Sequence, residues 1–156
     1  MASMSLASKL ALGGSVLLLI DSFLSWQKVC FDSGLGLITG LGSVCFKRNA
    51  WGGNGGLFGV IMALLVIILI AFEVVTAMGM GSKMNLSIPA SKLEAYFGFG
   101  VLGFTILKVL FVISNESTLF AYLGLVFALV VGYGSWLHFQ EPVAASGGGN
   151  PPQTSI

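Results

Sequence analysis

Apolar residues dominate four stretches of the chain, and shorter polar segments separate them. The four stretches are residues 8–27, 56–79, 93–113 and 118–138. Each contains about 20 residues, enough for a helix rising 1.5 Å per residue to cross a hydrocarbon core of about 30 Å. The stretches lack both the amphipathic period of a surface helix and the strict alternation of a barrel strand. The pattern therefore predicts four transmembrane helices.

Composition narrows the class of protein further. Charged residues make up 8% of the 156 residues and apolar residues 56%, with a mean hydropathy of +0.96. Average soluble domains carry about 25% charged residues, so this chain has too few to cover a water-soluble surface. A net charge of +1 provides no attraction for a polyanion, so no nucleic-acid partner is expected. We expect an all-α membrane protein in a lipid bilayer, with residues 1–140 forming a four-helix transmembrane domain.

The first connection, residues 28–55, is long enough to fold. Two similar β-favouring runs around Cys30 and Cys45 flank a glycine-rich stretch at 34–42, a pattern that predicts a β-hairpin. With the two cysteines opposite each other, the register pairs Phe31 with Val44 and Val29 with Phe46. We expect a Cys30–Cys45 disulfide, and two reduced thiols are the alternative.

Charge does not determine the orientation of the chain in the membrane. Apart from Lys108, the Lys and Arg residues divide three to each side of the membrane, so the positive-inside rule favours neither direction. Both cysteines of the chain lie in one loop, which is typical of an oxidising compartment. We therefore expect a protein of the plasma membrane with residues 28–55 outside and both termini in the cytoplasm. Residues 141–156 are rich in Gly, Pro and Ser, and we expect a disordered tail.

Asp21, Glu73 and Lys108 are charged residues that lie well inside the apolar stretches, away from their ends. Such residues are rare in membrane helices and need partners. Asp21 and Lys108 both lie five to six residues before the outer ends of their spans, so we expect an ion pair between them. Glu73 belongs to the opposite leaflet, near Thr76. These charges either hold the bundle together, the favoured interpretation, or line a path for a proton or ion.

Small residues recur every four positions on the fourth span, at Gly124, Ala128 and Gly132. Such a ridge lets another helix approach closely. The approaching helix can belong to the same bundle or to a partner protein, and the sequence does not distinguish these.

Candidate catalytic chemistry is weak. His138 is the one histidine of the chain and stands close to Trp136, so it is interpreted as an interfacial residue rather than a metal ligand. No nucleophile and base can be assembled into a catalytic set. We expect no enzyme, no cofactor and no metal site.

Three short segments carry a resemblance to known proteins. They are Ile-Asp-Ser-Phe-Leu-Ser-Trp-Gln at 20–27, Asn-Ala-Trp-Gly at 49–52 and Tyr-Gly-Ser-Trp-Leu at 133–137. The chain resembles uncharacterised small four-pass membrane proteins of actinobacterial type over its four helices. That resemblance implies the architecture and no activity. The cysteine-bearing first loop is also similar in layout to claudin-like proteins, but the Gly-Leu-Trp signature before the first cysteine is absent.

Two classes of function are consistent with these features. The first is a structural or accessory membrane protein that binds another membrane component, either a different membrane protein or a second copy of itself. The alternative is a small oligomeric transporter or channel that uses Asp21, Glu73 and Lys108.

Overall fold

The computed structural model describes residues 5–31, 44–78, 88–113 and 117–140. The described parts form four helices and one two-stranded sheet. In chain order these elements are α1 (Leu6–Ser22), β1 (Ser25–Phe31), β2 (Val44–Asn49), α2 (Gly56–Ala77), α3 (Ala90–Ile113) and α4 (Leu119–Gln140). The glycine-rich stretch at 34–42 and the tail at 141–156 lie outside the described residues, so the expected disorder of the tail stays a prediction.

Three helices, α2, α3 and α4, are long and apolar enough to cross a membrane. Their bounds agree with the predicted spans to within a few residues. The first predicted span, 8–27, is wrong at its end, because α1 stops at Ser22 and contains 17 residues. Trp26 lies in β1, and its indole Nε1 donates to the carbonyl oxygen of Asp21 at 3.0 Å. The last carbonyl groups of a helix lack hydrogen-bond partners within the helix. The indole of Trp26 provides a donor for one of them where the chain leaves α1.

Close approaches between helices show how they run. Gly98 lies against Ser135, whereas Gly132, earlier in α4, lies against Leu102, later in α3. The positions descend in α4 as they rise in α3, so the two helices are antiparallel neighbours. The same reasoning makes α1 antiparallel to α4, as Gly134 lies against Ala11 and Gly14 against Val131.

The small residues of α4 face the inside of the bundle. Gly124 lies against the ring of Trp26, Ala128 is fully buried, and Gly132 lies against Leu102. The ridge therefore serves packing within one chain, which answers the question that the sequence left open.

Apolar side chains fill the layer between the two ends of the bundle. The buried members of this layer, contributed by all four helices, are Leu18, Met62, Val66, Leu69, Val101, Val109, Ala128 and Val131. Two hydroxyl groups are buried in the bundle as well, that of Ser15 on α1 and that of Thr105 on α3. The hydroxyl of Thr105 donates to the carbonyl of Val101 at 2.7 Å. The charged groups of the interior lie on either side of this layer.

The predicted hairpin is confirmed, including its register. β1 and β2 are antiparallel, with Cys30 opposite Cys45 and a bulge near Trp26. The flanking pairs are Phe31 with Val44 and Val29 with Phe46. The two cysteines form the expected disulfide.

The disulfide yields a prediction for the purified protein. We expect no maleimide labelling of the denatured chain before reduction and labelling of two thiols afterwards, because both cysteines of the sequence are consumed by the bond. Mass spectrometry of intact protein measures this directly. A Cys30→Ser variant serves as the control and must label once without reductant. Labelling of two thiols in the unreduced protein would contradict the bond.

Candidate functional site

Lys108 fastens the loop after the hairpin to the bundle. Its side chain is fully buried on α3, and its Nζ donates to the carbonyl oxygens of Gly52 at 2.9 Å and Asn54 at 2.7 Å. Gly53 and Gly55 have φ angles of +69° and +68°, a left-handed conformation that glycine adopts without steric conflict. These two turns let the loop direct the carbonyls of Gly52 and Asn54 towards one ammonium group.

Asp21 occupies a different environment at the same end of the bundle. It is 3% exposed near the end of α1, and its Oδ2 has no hydrogen-bond partner among the described residues. An added Cβ at Gly124 of α4 would lie 2.7 Å from this oxygen. The carboxyl group therefore faces the glycine of α4 rather than α3.

The expected ion pair between Asp21 and Lys108 needs correction. In the part of the chain that the structure describes, no ion pair joins them, and the ammonium group bonds to loop carbonyls instead. The two residues were expected at the same end of the bundle because they lie at the same depth in their spans, and the structure agrees with that placement. Depth does not determine which way a side chain points around its helix axis, and α1 packs mainly against α4 and α2.

A second group of ionisable side chains lies at the end of the bundle away from the hairpin. Glu73 near the end of α2, Glu94 near the start of α3 and His138 near the end of α4 converge there, each at most 3% exposed. We call these three residues the carboxylate–histidine cluster. One potential ligand atom from each lies within 4.8 Å of the other two.

The imidazole of His138 stands between the two carboxylates. Its Nε2 lies 3.2 Å from Oε1 of Glu73, and its Nδ1 lies 3.6 Å from Oε2 of Glu94. The hydroxyl of Thr76 donates to Oε1 of Glu94 at 3.1 Å. Oε2 of Glu73 is buried and has no hydrogen-bond partner among the described residues.

A close contact between two helices positions the cluster. The hydroxyl of Ser135 on α4 occupies the space that a side chain at Gly98 on α3 would need. That hydroxyl donates to the carbonyl of Val131 at 2.9 Å, so it needs no other partner. Glu94 is one turn before Gly98, and His138 is one turn after Ser135. The absence of a side chain at Gly98 thus lets the imidazole and the carboxylate meet.

One member of this cluster, Glu73, is predicted from the sequence, whereas Glu94 and His138 are not. Glu73 was placed correctly at the end opposite Asp21, and its expected neighbour Thr76 lies one turn away in the same helix and contacts Glu94. His138 lies near the end of α4, as expected, but it is buried against Glu73 and Glu94, two contacts that the interfacial interpretation did not include. Position along the helices could have found the set, because Glu73, Glu94 and His138 all lie close to the same end of the bundle.

The cluster can hold positive charge in a site shielded from solvent. Two ionised carboxylates beside a neutral imidazole carry two negative charges, and burial without compensation is strongly unfavourable. Protons, one on the imidazole and one shared with a carboxyl group, can compensate them. A metal cation can do the same.

Comparisons of the chain with protein-family models, with curated proteins and with solved structures gave no match. Function must therefore be argued from the geometry.

Proposed function

We propose that this chain is an integral plasma-membrane protein of accessory type that binds an acidic segment of another membrane protein through its hairpin. The observation that carries the proposal is a rigidly mounted hairpin whose second strand is exposed from Cys45 to Arg48. The wider class, a membrane protein, is supported by the three long apolar helices.

Four crossings are supported by the packing of α1. This helix of 17 residues has a length of about 25 Å, close to the lower limit for a membrane span. It lies antiparallel along α4, from Ala11 beside Gly134 to Asp21 beside Gly124. A helix that accompanies a candidate span over this length passes through the same slab. The disulfide supports an outside hairpin and cytoplasmic termini.

The hairpin is joined to the bundle at several points. The backbone N–H of Thr118, just before α4, donates to the carbonyl of Trp26 at 3.1 Å. The indole of Trp51 donates to the hydroxyl of Ser22 at 2.9 Å, and the backbone N–H of Asn54 donates to Gln27 at 3.1 Å. Together with the disulfide, these bonds hold the strands in one position relative to the helices.

The exposed face of the hairpin is basic. Lys28 is directly opposite Lys47 on one face, whereas Arg48, opposite Gln27, points to the other face, and all three side chains are exposed. Neither strand contains Asp or Glu. Like charges opposite each other destabilise a strand pair, so this arrangement is best compensated by acidic groups from outside. Lipid headgroups attract lysines equally well whether the lysines are mobile or held in place. The fixed geometry of these lysines therefore favours a protein partner.

The hairpin proposal predicts a specific crosslink. A photoreactive amino acid at Lys47 is expected to capture one membrane protein in native membranes, whereas the same probe at Leu129, exposed on α4, captures lipid. For the charge-reversed variant the photoreactive amino acid is placed at Phe46 instead. The combined changes Lys28→Glu and Lys47→Glu are expected to reduce capture of the membrane protein from that site at least tenfold. Lys9→Glu with Lys92→Glu, the same charge change towards the other end of the bundle, is the control and should preserve capture.

Other outcomes of this experiment would contradict the proposal. Capture of lipid alone at Lys47 would assign the basic face to headgroups, and capture of a second copy of the chain would indicate a homo-oligomer. Equal capture by the charge-reversed hairpin would exclude an electrostatic partner.

An oligomeric transporter or channel is the second candidate. It is supported by buried carboxylate oxygens without partners at both ends, on Asp21 and Glu73. The packed apolar layer between them means that a path would run between copies of the chain rather than through one. Lys108 would contribute only after releasing the loop carbonyls. Proton or cation flux into vesicles containing the purified protein, abolished by Glu73→Gln, would favour this candidate.

A further inference from the structure

We propose that the carboxylate–histidine cluster binds one divalent transition-metal ion through the carboxylates of Glu73 and Glu94 and one ring nitrogen of His138. This site lies at the opposite end of the bundle from the hairpin, and the inference does not depend on the proposed partner. The ligand set contains one imidazole, which favours zinc, iron or nickel over magnesium and calcium.

The spacing of the ligand atoms suits such an ion. Zinc lies about 2.0–2.2 Å from nitrogen and oxygen ligands in a tetrahedral arrangement, which places neighbouring ligand atoms about 3.3–3.5 Å apart. The Nε2 of His138 and Oε1 of Glu73 are 3.2 Å apart, close to this spacing. The three ligand atoms fall within 4.8 Å of one another, and because Glu94 faces the other ring nitrogen, binding of the ion turns the imidazole or the Glu94 carboxylate towards it.

An unpaired oxygen of Glu73 is suited to contact with a cation. Glu73 is 1% exposed, and its Oε2 has no hydrogen-bond partner among the described residues. A buried carboxylate oxygen without a partner is unfavourable. Contact with a metal ion would satisfy this oxygen directly.

Charge balance also favours a divalent ion. Two carboxylates and a neutral imidazole carry two negative charges, and a divalent cation makes the buried site neutral. An imidazolium in place of the ion would leave one negative charge in the interior unless a carboxyl group were also protonated. Neutral sites are strongly preferred where the dielectric constant is low.

The surroundings of the ligands resemble those of an oriented metal site. The hydroxyl of Thr76 donates to Oε1 of Glu94 at 3.1 Å, which leaves Oε2 directed at the imidazole. Metal-bound carboxylates are commonly oriented by such hydrogen bonds, and their loss weakens binding about 10–100-fold. Glu73 and Glu94 are each within about 6 Å, four residues, of a helix end, so an ion can enter from that membrane surface.

Metal titration of the full chain tests the proposal. Protein purified in detergent with an affinity tag that lacks histidine, and stripped with chelator, is titrated with Zn²⁺. We expect one equivalent to bind and the thermal midpoint to rise. Glu73→Gln keeps the shape of the side chain, removes one ligand charge and should weaken Zn²⁺ binding at least tenfold. Asp21→Asn, which removes a buried carboxylate at the opposite end, should bind as wild type does.

X-ray absorption of the zinc-loaded wild-type protein decides the matter even if a ligand variant fails to fold. The chain has one histidine, and its two cysteines form a disulfide, so a signal with one imidazole, oxygen ligands and no sulfur identifies His138. Failure of the wild-type protein to bind Zn²⁺ would overturn the proposal. A spectrum without imidazole, or unchanged affinity in Glu73→Gln, would overturn it equally.

Discussion

Replacement of Lys108 by methionine is expected to lower the free energy of unfolding in detergent by about 3–5 kcal/mol. Methionine retains most of the apolar stem but removes the donor that serves the carbonyls of Gly52 and Asn54. Hydrogen bonds from a charged group contribute about 1.5–3 kcal/mol each, and two buried carbonyls would be left without their partner. Lys92→Met on the same helix is the matched control, because Lys92 is only half-buried, and we expect a change below about 1 kcal/mol.

The partner of Asp21 can be tested by the same measurement. Asp21→Asn is expected to leave stability nearly unchanged or to raise it, because the variant no longer buries a charge whose Oδ2 lacks a hydrogen bond. The double variant with Lys108→Met should show additive effects within about 0.5 kcal/mol, since the two residues have different partners. Recovery of stability in the double variant would instead demonstrate the ion pair that matched depth predicts.

Alanine at Gly98 is expected to destabilise the bundle by about 2–3 kcal/mol, in the upper range for overpacking. The new Cβ would coincide with the hydroxyl of Ser135 and lie 2.7 Å from its Cβ, so α3 and α4 must separate. Ser135→Gly in the same protein removes both obstructing atoms. The double variant Gly98→Ala, Ser135→Gly should therefore recover most of the lost stability. The recovery is smaller by about 1 kcal/mol, because the new glycine at position 135 disfavours the helix.

Gly103→Ala provides the matched control for this substitution. It makes the same change in the same helix, but nothing lies within 4 Å of the added Cβ. We expect a gain of up to about 1 kcal/mol, because alanine favours helix more than glycine does. Equal destabilisation by Gly98→Ala and Gly103→Ala in chemical denaturation would show that helix propensity, and not the contact with Ser135, governs both positions.

The two polar ends of the bundle play different physical roles. At the hairpin end, Lys108 is paired with loop carbonyls, and its charge is used in holding the loop. At the other end, the ionisable groups of the carboxylate–histidine cluster face one another, and an oxygen of Glu73 is left over. Lys108 thus finds its partners within the chain, although Oδ2 of Asp21 at the same end has none among the described residues. The cluster brings two carboxylates and an imidazole together and is suited to an added cation.

The sequence by itself determined the elements that depend on local pattern. Uninterrupted apolar runs predicted α2, α3 and α4 because a helix satisfies its own backbone hydrogen bonds wherever water is absent. The two similar runs around Cys30 and Cys45 determined the hairpin and its register, since one alignment brings the cysteines together. Positions along the helix axes were also predictable, and they placed Asp21 and Glu73 at opposite ends.

Only the tertiary structure decided which side chains meet. Helix rotation about its own axis depends on the packing of all neighbours, and in apolar runs without an amphipathic face the sequence carries little information about it. Contact between Glu94 and His138 follows from Gly98 and Ser135, and the partners of Lys108 follow from turns at Gly53 and Gly55 in a loop more than 50 residues earlier. These contacts join residues far apart in the chain, so no local pattern records them.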